Sequence, residues 1–285
     1  MHSFYRALTL SLSALLTQAC GPIDEINPEE FHAHETHNVT YSASHIEKQV
    51  DHGPKKVRFI YVSTRNRRPK KKYKKALERA AKELQAWYRD EVGRGKTFAL
   101  NDPIVETVIS PQSDAWFQNT PRPETTSEWV WWYNALYETQ RLLGIEQSTR
   151  PDPNVTYVIF VDSDQRCGQQ GGGGRQGFTV MPANDLRGLS GRTGRRICNH
   201  HPQWWYELPP CRYVGGVGHE LGHAFGLQHS CSANSAECDD REAIMDGGYQ
   251  SFPETYLRAQ DKRSLRRNAF FSRRKPVDAD VQCRR

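Results

Sequence analysis

His219-Glu220-Leu221-Gly222-His223-Ala224-Phe225-Gly226-Leu227-Gln228-His229 is the stretch on which the reading of this 285-residue chain turns. On an α-helix His219 and His223 stand one turn apart on the same face, so both imidazoles reach one ion. Glu220 lies beside the first of them and is not a ligand. Its carboxylate is placed to accept a proton from water attacking a carbonyl and to return it to the leaving group. His229 follows His219 by ten residues, about 15 Å along a straight helix, so the chain has to fold back to bring it in. Gly226 suits that reversal, because glycine readily takes the left-handed conformation that ends a helix. Three imidazoles leave a fourth position open for water, as a catalytic zinc site requires and a structural one does not. Five fixed residue types at these spacings arise by accident in about one chain per ten thousand of this size.

Upstream of this stretch, β-rich and helical segments alternate. Residues 57–62 read as a strand. Tyr73, Leu77, Ala80, Ala81, Leu84, Trp87 and Tyr88 then recur at helical spacing until Gly93 and Gly95. Residues 104–109 read as a second strand. Thr125-x-x-Glu128 has the pattern of a capping box for a second helix, with Trp129, Trp132, Tyr133, Leu136 and Leu143 on one face and Gly144 at its end. Residues 155–161 are almost wholly apolar, as a strand covered on both faces would be. The order β-α-β-α-β implies an α/β fold, a twisted and mostly parallel sheet backed by two helices. Residues 171–174 are glycines that read as a surface loop. Phe178, Thr179 and Val180 after them read as an antiparallel edge strand whose open backbone groups would seat an extended peptide.

The motif from His219 to His229 resembles that of metzincin zinc metallopeptidases, and Ala243-Ile244-Met245-Asp246 is similar to their Met-turn. The resemblance spans the site and the β-α-β-α-β stretch before it, and names no subfamily. It implies a two-lobed catalytic domain with an upper lobe over residues 55–229 and a small irregular lower lobe over 230–285 carrying the Met-turn and a C-terminal helix. Zn2+ would sit in the cleft between them. It further implies that Met245 forms an apolar floor beneath the metal and that peptides bind antiparallel to an edge strand. Tyr249 is the candidate for a tyrosine near the metal, although Gly247 occupies the position two residues after the Met where some members place it. The activity implied is peptide-bond hydrolysis, with Glu220 as general base and a peptide or protein as substrate. A silent binding protein of the same shape, and a zinc hydrolase acting on another substrate, stay open as alternatives.

Residues 1–20 read as a signal peptide, with Arg6 before an apolar run and Ala19-Cys20 as a cleavage site of possible lipoprotein type. Residues 21–54 are polar and read as a tether. Export to the periplasm, to a membrane anchor at lipidated Cys20, or to the medium is therefore expected. Cys167, Cys198, Cys211, Cys231, Cys238 and Cys283 remain once Cys20 is set aside, an even number that fits disulfides. Among the fifteen pairings open to six cysteines, the expectation is Cys198 with Cys211, Cys231 with Cys238, and Cys167 with Cys283. The net charge of +6 concentrates in residues 65–75 and 263–274. The patch over residues 70–75, from Lys70 to Lys75, is a candidate contact for an anionic cell surface. No stacking-aromatic motif accompanies these basic stretches, so no specific nucleic-acid partner is expected. The sequence leaves the oligomeric state open.

Overall fold

Three apolar runs form the centre of a five-stranded sheet, and their side chains alternate between its two faces. The computed structural model describes residues 55–201, 207–229, 241–278 and Cys283. The elements run β1 (Lys56–Ser63), α1 (Lys71–Val92), β2 (Lys96–Thr97), β3 (Leu100–Ile109), α2 (Asp114–Asn119), α3 (Val130–Leu143), β4 (Val155–Val161), β5 (Gly173–Arg175), β6 (Phe178–Met181), α4 (Ala183–Leu189), α5 (Pro210–Ala224), α6 (Ala259–Arg267) and β7 (Ser272–Arg273). The main sheet has the order β3-β1-β4-β6-β5, and β2 pairs with β7 in a small second sheet. β3, β1, β4 and β6 are mutually parallel, while β5 runs antiparallel to β6. The fold is α/β with a mixed, mostly parallel sheet.

In β1, Val57, Phe59 and Tyr61 enter one core, and Ile60 and Val62 enter the other. β4 divides likewise, Val158 and Phe160 against Tyr157, Ile159 and Val161. This is the period-two alternation of a pleated strand. The first core holds the apolar face of α1 and the motif helix α5, and the second holds α3. Residues 73, 77, 80, 81, 84, 87 and 88 of α1 are all buried, and Gly93 ends the helix at φ 74°. Among the described residues no helix is long and apolar enough to cross a membrane.

Several expectations need correction. Phe178, Thr179 and Val180 are not an edge strand, because β6 is paired on both sides. The antiparallel edge is β5, drawn from the glycine run that reads as a loop. The box Thr125-x-x-Glu128 does not cap α3. That helix starts at Val130 behind Trp129, which makes no side-chain cap, and the Glu128 carbonyl accepts a hydrogen bond from the Gln170 N–H at 2.8 Å instead. α3 is buried on nearly every side, and Trp131, absent from the expected face, is fully enclosed.

Cys198 pairs with Cys167 and Cys211 with Cys283, so two of the expected pairings are wrong. Each disulfide joins segments far apart in sequence whose Cα atoms lie 4.9 and 5.6 Å apart, which spacing along the chain does not reveal. Lys70 is not a free surface cation, because it and Arg67 clamp the buried Asp162 at 2.8 Å each. Residues 1–20 with Cys20, the tether 21–54, and the pair Cys231 and Cys238 lie outside the described residues.

Candidate metal centre

α5 begins with Pro210, a residue suited to the first helical turn because its missing N–H would be unpaired there anyway. It ends at Ala224, and Gly226 follows at φ 89°. The Gly226 N–H donates to the His223 carbonyl at 2.8 Å and the Leu227 N–H to the Gly222 carbonyl at 3.0 Å, closing the helix as the chain reverses. The reversal returns His229 to the helix face that carries His219 and His223.

The three Nε2 atoms form a small triangle: His219 to His229 is 3.1 Å, His223 to His219 is 3.2 Å and His223 to His229 is 3.0 Å. Ligand nitrogens about 2.05 Å from a tetrahedral ion sit about 3.3 Å apart. The other ring nitrogens explain the orientation. Nδ1 of His219 lies 2.6 Å from the Ile244 carbonyl, and Nδ1 of His223 lies 2.9 Å from the Leu227 carbonyl. A carbonyl only accepts, so each Nδ1 carries the proton and each Nε2 turns a lone pair toward the other. Two lone pairs at that distance repel unless a cation lies between them. Burial pushes the His219 imidazole down to about 3 and the His223 imidazole down to about 4, and lowers His229 as well. All three are thus held neutral, as metal ligands must be. The group could hold a metal ion, and imidazoles at this spacing fit a divalent ion of the zinc type. A second grouping, Cys167, Cys198 and His200, has its two sulfurs joined to each other.

Glu220 lies near enough to His223 and His229 for their charges to act on it. Burial raises its carboxyl above the usual range, opposed by His223, His229 and a hydrogen bond from the Gly174 N–H. Its Oε2 is buried and has no hydrogen-bond partner among the described residues. β5 crosses α5 so closely that a Cβ on Gly174 would overlap the Glu220 carbonyl oxygen, so only glycine fits there. Met245 is fully buried, and its thioether lies where a Cβ on Gly222 would be. That contact puts it against the motif helix, while its neighbour Ile244 holds His219. Tyr249 is buried, with its ring 5.2 Å from that of His219. β6, with Phe178, Thr179 and Val180, lies behind β5, which stands between it and the open edge of the sheet.

Sequence reasoning missed Gly174, Tyr88, Arg212 and Asp185. Tyr88 donates to the Gly218 carbonyl at 2.7 Å, tying α1 to the helix turn just before the first ligand. Arg212 stands 5.0 Å over the Tyr249 ring and 3.9 Å from Asp185. Burial lifts the Asp185 carboxyl to about 6 despite Arg212, whose guanidinium is too distant for a hydrogen bond, and the nearby Glu220 charge adds to the rise. A glycine between tight neighbours and an arginine seven residues before His219 carry no pattern legible in a single chain.

No protein-family model and no curated protein matches the chain. Among solved structures it is similar to wild-type OgpA from Akkermansia muciniphila, at 16% identity over 73% of this chain with a TM-score of 0.42. Catalytically inactive OgpA in complex with an O-glycopeptide substrate gives the same identity, coverage of this chain and TM-score. The chain spans 59% and 58% of the length of those two chains. The likeness is coarse.

Proposed function

We propose that this chain is an exported zinc-dependent endopeptidase of the metzincin type, with His219, His223 and His229 as metal ligands and Glu220 as general base. The observation that carries the reading is the convergence of three Nε2 atoms within 3.2 Å, two of them with Nδ1 fixed on backbone carbonyls. Zinc bound there supplies a Lewis acid that polarises a substrate carbonyl and acidifies water.

The chain's own residues do the rest. Glu220, with its carboxyl raised and one oxygen unengaged, takes the proton from the attacking water and passes it to the departing amine. The Gly174 N–H holds that carboxylate in line. Met245 supports the helix from below, and Tyr249 packs against the His219 ring. The extended peptide lies along β5, the open antiparallel edge, and gains main-chain hydrogen bonds there. Residues 1–20 direct export, in keeping with the two disulfides among the described residues. Lys71 and Lys75 are what remains exposed of the basic patch for an anionic surface.

Two variants separate metal binding from chemistry. His223→Ala should lose zinc, measured by metal analysis, because a three-imidazole site that loses one ligand loses both geometry and affinity. Glu220→Gln should keep zinc while cleavage of a panel of unmodified and O-glycosylated peptides falls at least about a hundredfold. Near-normal cleavage by Glu220→Gln protein would falsify the mechanism.

A further inference from the structure

Far from the histidines in sequence, Arg94 and Lys96 from the turn after α1 meet Arg263, Arg266 and Arg267 of α6 around one cavity of about 280 Å³. No acidic side chain lines it. Among the described residues, none of the five forms an ion pair with a carboxylate, whereas Lys262 beside them pairs with Glu91 at 3.1 Å. Arg266 is anchored by its Nε–H donating to the Val92 carbonyl at 2.8 Å, and Lys96 by its ammonium donating to the Arg266 carbonyl at 2.6 Å. Backbone contacts therefore orient two of the five cations without neutralising them.

Cations at the end of a helix are ordinarily explained by its dipole, and that account covers Arg266 and Arg267. It reaches Lys96 as well, whose ammonium meets a carbonyl in the last turn of α6, but it does not account for five cations from segments about 170 residues apart gathered around one cavity with no carboxylate among its lining residues. Two further features run against stability. Arg94 is the only non-glycine among the described residues with a left-handed φ, 59°, and it stands between Gly93 and Gly95, which share that region. Lys96 faces Arg273 directly across the β2–β7 pair, a like-charge juxtaposition that costs stability. Local strain and unrelieved repulsion at one place point to a ligand.

We infer that this cavity binds a ligand bearing two neighbouring tetrahedral oxyanions, phosphate or sulfate groups. Four of its five cations are arginines, whose planar fork matches such oxygens two at a time. The volume exceeds what one such group fills. The site is independent of the metal chemistry proposed above, so failure of either leaves the other standing.

The test is calorimetric titration of the full chain with inorganic pyrophosphate at low salt. Saturable binding is expected, weakening as salt rises and falling about tenfold in Arg263→Ser and in Arg267→Ser, each having lost a charge-assisted contact. Arg150→Ser/Arg166→Ser, which removes exposed charge elsewhere, should bind as the parent does. Arg94→Gly provides a readout that misfolding cannot mimic. It should melt at a higher temperature, because glycine adopts this φ without strain, and yet bind pyrophosphate about tenfold more weakly.

Sedimentation with phosphatidic acid vesicles separates the sources. Arginine-dependent vesicle binding supports a lipid-borne phosphate, and its absence alongside pyrophosphate binding supports a soluble or glycan-borne group. No saturable binding, or equal weakening in the Arg150→Ser/Arg166→Ser protein, overturns the inference, as does an Arg94→Gly protein that binds unchanged.

Discussion

Gly174 is where the sheet edge and the candidate base meet, and its missing side chain is what permits the meeting. A methyl group there would overlap the Glu220 carbonyl oxygen, so Gly174→Ala has to push β5 away and withdraw the N–H that opposes the rise in the Glu220 carboxyl. Peptide cleavage should fall by about one to two orders of magnitude with zinc content unchanged, since about 1 Å of misplacement at a reacting group can cost that much. A Gly174→Ala protein with parental kcat/KM shows that β5 does not position the base.

Asp185 gives a second residue-scale expectation. Its native carboxyl titrates near 6, against 3.8 for an unperturbed aspartate, so the folded state holds the proton more tightly than the unfolded chain. Protonation contributes stability at low pH that is lost as pH rises from about 4 through about 6, by at most about 3 kcal/mol. Asp185→Asn removes this loss. Urea midpoints of variant and parent should diverge in the variant's favour across that window, and a difference independent of pH would show that burial of this carboxyl carries no such cost.

At the scale of elements, what the sequence made legible is what hydrophobic periodicity controls. β1, β4 and α1 lie within a residue or two of where their patterns put them, because a strand enclosed on both faces and a helix with one buried face each impose a period on the chain. β5 left no such trace. Two of its three residues are glycines, chosen for closeness to α5 rather than for a face to bury, and they read as a loop. That error also misplaced the open edge, assigning it to Phe178, Thr179 and Val180. α3 failed in the opposite sense: Trp131 and Trp132 are both enclosed, so an amphipathic template accounts for only part of it. The histidine triangle was legible because its three members lie on one helix and the turn after it, with Gly226 marking the reversal. Arg212 and Asp185 were not, since the packing of α4 against α5 brings them together and no local pattern records it.

Over the whole molecule, the bond between Cys211 and Cys283 closes a loop of 72 residues that contains all three candidate ligands and the Met245 turn. In the chain-entropy account a closure of that length is worth about 4 kcal/mol. Replacing both cysteines by serine should lower the stability measured in urea by about that amount, while the histidines, held on their own helix and turn, should still bind added zinc. Unchanged stability would mean that the unfolded chain is already constrained. The same contiguity has a consequence for folding order. All three imidazoles come from eleven consecutive residues, so a metal need not wait for the sheet to assemble before finding two or three donors near one another. An unfolded chain that already binds the ion shares in its stabilisation. Excess zinc would therefore raise the melting temperature by less than native-state affinity alone dictates, and refolding in its presence would begin from a chain already looped at its candidate metal site.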